Sequence, residues 1–188
     1  MIQTSDFKKG LKLLLDGEPY NIVDFQHTKP GKGNAFTKAK MKNLITGNNL
    51  ERTFKSGEKF EMPDVEFKSV NFLYSDESGF HFMDQVNYEQ VALQEEDLAP
   101  KHLYLKENDE VTMLFFNERA IGIELPNTVT LVVAQTDPGF KGNTVTNTFK
   151  PATMETGCVV QVPLHTKIGD LLKIQTEDGK YLERVNLK

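Results

Sequence analysis

The chain has 188 residues, 38% of them hydrophobic and 26% charged, with a formal net charge of −5. That composition excludes a disordered or collagen-like chain and leaves room for one large domain or several small ones. No apolar run approaches the ~20 residues of a membrane span, and residues 1–6 lack the basic and apolar regions of a signal peptide, so a cytoplasmic protein with no membrane partner is expected.

In chain order the pattern is strand after strand. Residues 11–15 read as the first, ended by the turn signal Asp16-Gly17-Glu18-Pro19. Residues 20–27 and 35–45 read as the two arms of a hairpin. In the second arm Ala35, Thr37, Ala39 and Met41 alternate with Phe36, Lys38, Lys40 and Lys42, which puts three lysines on one face. Between the arms runs Thr28-Lys29-Pro30-Gly31-Lys32-Gly33-Asn34. Pro30 fixes its own φ and biases Lys29 toward extended geometry, and Gly31 and Gly33 are expected to take the positive φ of a tight reversal. The result is a thin tip crowned by the Lys32 ammonium.

Residues 25–50 hold five lysines (Lys29, Lys32, Lys38, Lys40 and Lys42) and neither Asp nor Glu, in a chain that is acidic overall. One reading is a solvated hairpin whose lysines blunt its outer face. The other is a surface that meets a polyanion, and the local charge asymmetry favours RNA.

A strand at 50–54 and a turn at 55–58 complete what fits a small SH3-like barrel, and Pro63 interrupts the pattern where the charge reverses. Residues 1–63 carry a net +4, residues 64–127 a net −10 and residues 128–188 a net +1, which predicts three domains with those boundaries. Domains of about 60 residues bury only about 60% of their unfolded surface, so each has a thin core.

In the acidic third, Val65, Phe67 and Ser69 alternate against Glu66 and Lys68 in a strand that continues to residue 74. A turn at 75–79, a partner strand at 80–83, a short helix around Pro100 within 95–106, and strands at 111–116 and 120–124 follow. This fits a five-stranded oligonucleotide-binding (OB) barrel, and composition alone does not separate it from a sandwich. Its acidity reads either as a solubilising face or as a mimic of transfer-RNA charge. The last third repeats the rhythm at 129–134, 156–162 and 171–176, with a hairpin turn at 177–180.

Enzymatic chemistry lacks a constellation. The four histidines His27, His81, His102 and His165 show no metal-ligand spacing with one another or with Cys158, and there is no Gly-rich loop ending in Gly-Lys-Ser/Thr. No catalytic residue, metal or cofactor is expected. Cys158, within Gly157-Cys158-Val159-Val160, reads as a buried small hydrophobe.

Four segments together carry a family resemblance. Lys29-Pro30-Gly31-Lys32-Gly33-Asn34-Ala35-Phe36 resembles the tip of the bacterial elongation factor P family, and Lys150-Pro151-Ala152-Thr153-Met154-Glu155-Thr156-Gly157 its C-terminal signature. Asp137-Pro138-Gly139-Phe140-Lys141-Gly142 is similar to its third-domain loop, and Tyr181-Leu182-Glu183-Arg184-Val185 to its ending. All four lie in the family's order. The chain departs from the pattern at Gly142-Asn143-Thr144, where many members have Gly-Asp-Thr followed by a further glycine, and at Thr166, where a branched aliphatic residue is usual.

The resemblance implies an all-β protein of three small barrels, an SH3-like (KOW-type) domain and then two OB-folds, in an elongated L shaped like a transfer RNA. It implies a monomeric, non-enzymatic translation factor that binds ribosomal RNA and proteins beside the peptidyl-tRNA and promotes peptide bonds at stalled proline runs. The family's modified lysine maps onto Lys32, the target of a dedicated lysine-modifying enzyme that in relatives with this tip attaches a β-lysyl group; other lineages attach different groups. RNA contacts are implied for Lys29, Pro30, Gly31, Lys32, Gly33, Lys38, Lys40 and Lys42, and in the C-terminal domain for Gly142, Asn143, Thr144, Tyr181 and Arg184. Two other readings remain at this stage: a generic KOW/OB RNA-binding module, and an elongation-factor-P-like paralogue, whose tip generally lacks Pro-Gly-Lys-Gly.

Overall fold

A computed structural model describes residues 1–138 and 148–186. Among them the chain is all-β, broken only by short helical turns. No helix of the described residues is long and apolar enough to cross a membrane. Backbone contacts group the chain into two compact units, Met1–Phe67 with Leu114–Gly122, and Lys68–Met113 with Ile123–Lys188.

The first unit is built from β1 (Ile2–Gln3), β2 (Lys12–Leu15), β3 (Glu18–Thr28), β4 (Phe36–Asn43), β5 (Asn49–Lys55) and β6 (Lys59–Phe60). β2 to β5 form one antiparallel meander in sequence order, and β1 pairs with β6. The β2–β3 turn is tighter than the sequence suggests, because Asp16 and Gly17 both take positive φ (54° and 83°) and reverse the chain alone. Two positive-φ residues match the twist of the flanking strands, so Glu18 and Pro19 already belong to β3. Leu13, Ile22, Ala39, Met41 and Phe54 are buried in the core, with Phe7 and Phe60 against them. The period-2 pattern of β4 holds throughout, since Thr37, Ala39, Met41 and Asn43 face in while Phe36, Lys38, Lys40 and Lys42 face out.

Next come β7 (Val65–Asp76), β8 (Gly79–Asp84), β9 (Gln90–Leu93), β10 (Glu110–Phe116) and β11 (Arg119–Glu124), in the sheet order β11-β10-β7-β8-β9. Between β9 and β10 an α-turn, Glu95–Leu98, is followed by a 3-10 turn, Lys101–Tyr104. The single helix expected there is split because Ala99, preceding Pro100, is held at ψ 136°, outside the helical region.

The last group is β12 (Thr128–Thr136), β13 (Phe149–Met154), β14 (Val159–Pro163), β15 (Leu171–Gln175) and β16 (Tyr181–Val185), in the order β14-β13-β12-β15-β16. Residues 156–158, expected to be strand, form the turn before β14. β13 was hidden in the sequence by Pro151, which argues against an inner strand. The register explains its tolerance: on the β12 side the last pair is Thr136 with Ala152, and Pro151 lies just past it. Lys150, Ala152 and Met154 alternate inward. Cys158 joins Leu131, Val162, Leu172 and Ile174 in the core, and burial pushes its thiol pKa up, as expected of an inert structural cysteine. Thr166 is buried in the turn after β14.

Candidate nucleic-acid interface

The hairpin formed by β3 and β4 is paired from Tyr20 with Asn43 to Thr28 with Phe36. Near its tip His27 Nδ1 lies 2.6 Å from Thr37 Oγ1, and the Phe25 and His27 rings meet edge to face at 5.2 Å. The His27–Thr37 contact ties the two arms together, and the Phe25–His27 contact braces the outer end of β3. Lys29, Pro30, Gly31, Lys32 and Gly33 are all exposed beyond them.

Only one of the two tip glycines takes the expected conformation. Gly33 has φ 110°, whereas Gly31 has no positive φ. A Cβ on Gly31 would meet nothing within 4 Å. The reversal at Lys32 therefore depends on Gly33, and Gly31 keeps the tip narrow.

The lysine stripe is less free than the acid-free run suggests. Lys38 lies 2.6 Å and Lys40 3.8 Å from the carboxylate of Glu51 on β5. That arrangement follows from register, because Lys38 is opposite Thr53 and Lys40 opposite Glu51. The Lys38 hydrogen bond, helped by the charge of Lys40, lowers the Glu51 pKa. On the other side Asp24 is opposite Lys40 but pairs with Lys9 at 3.2 Å, which lowers its pKa in turn. Among the described residues Lys29, Lys32 and Lys42 have no ion-pair partner. Glu51 and Asp24 were invisible to the composition argument because both stand just outside the acid-free run; only strand pairing brings them beside its lysines.

Of the C-terminal candidates, Tyr181 is half-buried and packs on the core of its barrel. Arg184 lies 3.7 Å from Asp170. Gly142, Asn143 and Thr144 lie outside the described residues. No group of three or more His, Cys, Asp or Glu among the described residues is placed to hold a metal ion.

A cluster that sequence reasoning missed sits at the β7–β8 turn. Asp76 Oδ1 accepts from Ser78 Oγ at 2.6 Å and lies 2.9 Å from His81 Nε2, while Tyr74 stacks on the imidazole at 4.5 Å. Ser78 and Asp76 both approach the same ring nitrogen, so the two do not divide the parts of nucleophile and orienting acid between the two nitrogens of the imidazole, as hydrolytic catalysis requires. The Ser78 hydroxyl, and after it His81, lowers the Asp76 pKa to about 2. A carboxylate with a depressed pKa favours folding above its unfolded value of 3.8, and that contribution is lost as pH falls through about 2. Carbon-13 NMR of the side-chain carboxyl should place the Asp76 midpoint near 2, and Ser78→Ala should move it upward; a midpoint unmoved by the substitution would remove the hydroxyl as the cause.

Models of three elongation factor P domains match the chain in order: the KOW-like domain over residues 3–60, the OB domain over 65–123 and the C-terminal domain over 129–184. The chain is 58% identical over 188 residues to the elongation factor P of Bdellovibrio bacteriovorus, covering all of both chains. It is 47% identical over 185 residues to that of Carboxydothermus hydrogenoformans, covering 98% of this chain and all of the relative. The matched domains span the SH3-like barrel with its lysine tip and both following sheets, and the chain belongs to the elongation factor P family of translation elongation factors.

Proposed function

We propose that the protein binds the ribosome beside the peptidyl-tRNA and stimulates peptide-bond formation at stalled proline runs, with Lys32 positioning the tRNA end. The observation that carries this reading is the exposed Lys32 ammonium, without an ion-pair partner among the described residues, at the apex of a hairpin narrowed by glycines. Proline is a poor nucleophile for geometric reasons. A factor without catalytic groups accelerates such a step by holding the reacting ends in a productive pose, which removes part of the entropic barrier. A slim cationic tip fits an RNA crevice closed to a bulkier loop, and single-stranded RNA ends expose the backbone oxygens it would contact.

In this reading a dedicated enzyme modifies Lys32, and Lys29, Lys38, Lys40 and Lys42 neutralise nearby phosphates. The factor works as a cytoplasmic monomer with domains at 1–63, 64–127 and 128–188. Peptide synthesis in a reconstituted translation reaction tests it: the protein should speed messages encoding Pro-Pro-Pro and leave proline-free messages unchanged. Equal effects on both, or none on either, would overturn the proposal.

Glu51 sets a second expectation. Each neutralised phosphate contributes about 0.7 to 0.9 to the slope of log affinity against log salt. A carboxylate held by Lys38 and Lys40 competes with phosphate for both. Glu51→Gln should therefore raise ribosome affinity several-fold at low salt and steepen the slope by up to about 0.9, whereas Lys42→Gln should flatten it. An unchanged slope in both variants would mean that the stripe does not meet phosphate.

A further inference from the structure

The C-terminal barrel buries a lysine without a carboxylate. Lys150 is 8% exposed, and its ammonium donates to the carbonyl oxygens of Asp137 at 2.6 Å and Thr166 at 2.7 Å. Among the described residues two carbonyls accept from its N–H donors, and they supply no net negative charge. An ammonium withdrawn from water without an anion is expensive. No carboxylate among the described residues lies within ion-pair distance of Lys150, and residues 139–147 contain neither Asp nor Glu.

The lysine lines a cleft of about 570 Å³, whose wall also carries His165, Thr166 and Lys167. His165 and Lys167 are exposed. The turn that presents them is fixed by its own hydrogen bonds: Thr166 N–H donates to Pro163 O at 3.0 Å and Gly169 N–H to Val133 O at 2.9 Å, and Lys167 N–H donates to Asp170 Oδ2 at 2.9 Å. The acid on the wall, Asp137, offers Lys150 its carbonyl and not its carboxylate. Lys150, His165 and Lys167 thus line one part-buried cleft together with the apolar Pro138, Leu164 and Ile168, and charge-assisted hydrogen bonds made there are stronger than in water.

We propose that this cleft binds a phosphate group, with the ammonium of Lys150 on one oxygen and Lys167 and His165 closing on the others. A phosphodiester of RNA and free inorganic phosphate present the same chemistry. The RNA source rests on the ribosomal reading above; the phosphate site itself does not.

The test uses the full nitrogen-15-labelled chain without ribosomes, titrated separately with inorganic phosphate and with a short oligouridylate while amide shifts are followed. Saturable shifts are expected at Thr166, Lys167 and Ile168. The exposed double variant His165→Gln, Lys167→Gln should bind about tenfold more weakly, with an unchanged melting temperature. Shifts with both ligands assign an RNA contact and shifts with phosphate alone assign a free-anion site; either result upholds the proposal. It is overturned if these amides show no saturable shift up to about 10 mM ligand, far above the 10⁻⁴ M of weak nucleic-acid contacts. Shifts confined to the amides of Lys38, Lys40 and Lys42, or full affinity in the double variant, also overturn it. Because no ribosome takes part, a negative result leaves the triproline assay independent.

Discussion

Lys32→Ala should lower the stimulation of Pro-Pro-Pro synthesis roughly 10- to 100-fold, the scale expected when a positioning contact is lost, while weakening ribosome binding only modestly. In the proposed function the two effects separate because Lys32 stands at the apex, whereas Lys29 and the β4 lysines would continue to meet phosphate. Folding should be untouched, within about ±0.5 kcal/mol, since Lys32 is exposed and holds no described partner. Lys32→Arg is the sharper variant. It keeps the charge but replaces a compact ammonium with a planar fork and removes the amine that a lysine-modifying enzyme needs. It too should fail on the triproline message, and intact-mass spectrometry of the natively expressed protein should find an adduct on Lys32 that both variants lack. A fully active Lys32→Ala protein would falsify the assignment of the tip as the functional centre, and a fully active Lys32→Arg protein would show that charge alone suffices.

The second large effect is expected in the core of the N-terminal barrel. Phe54 on β5 is 2% exposed, and its ring meets Phe7 at 5.8 Å and Phe60 at 5.0 Å, both edge to face. It also lies opposite Thr37 in the β4–β5 register, beside the outer end of the paired hairpin. Phe54→Ala should destabilise the N-terminal barrel by about 3–5 kcal/mol, through lost burial, the cavity left behind and two broken aromatic pairs. That is a large fraction of the ~5–15 kcal/mol by which a domain is stable, and a barrel this small has little to spare. The chain has no tryptophan, so circular dichroism during urea unfolding is the suitable probe. An early transition should appear in the variant, with loss of triproline stimulation although Lys32 is intact. A urea midpoint equal to that of the unchanged protein would show that the aromatic cluster does not hold the hairpin in place.

The sequence by itself determined the strands that alternate, the lysine-bearing apex and the family. Period-2 burial is a local property, so Ala39 and Met41 facing in and Lys38 and Lys40 facing out could be read from β4 alone. The tip was legible for the same reason, since Pro30 and Gly33 act on their own dihedrals. The tertiary structure decided what stands beside what. Glu51 reaches Lys38 and Lys40 only because β5 pairs with β4 in one register, and a shift of one residue would turn its side chain to the opposite face. Pro151 sits in an inner strand only because β12 stops pairing one residue earlier. Lys150, a lysine like any other in the sequence, is buried because its strand directs it inward toward the carbonyls of Asp137, just after β12, and Thr166, just after β14. Such neighbours are set by long-range pairing, which no local window of sequence contains.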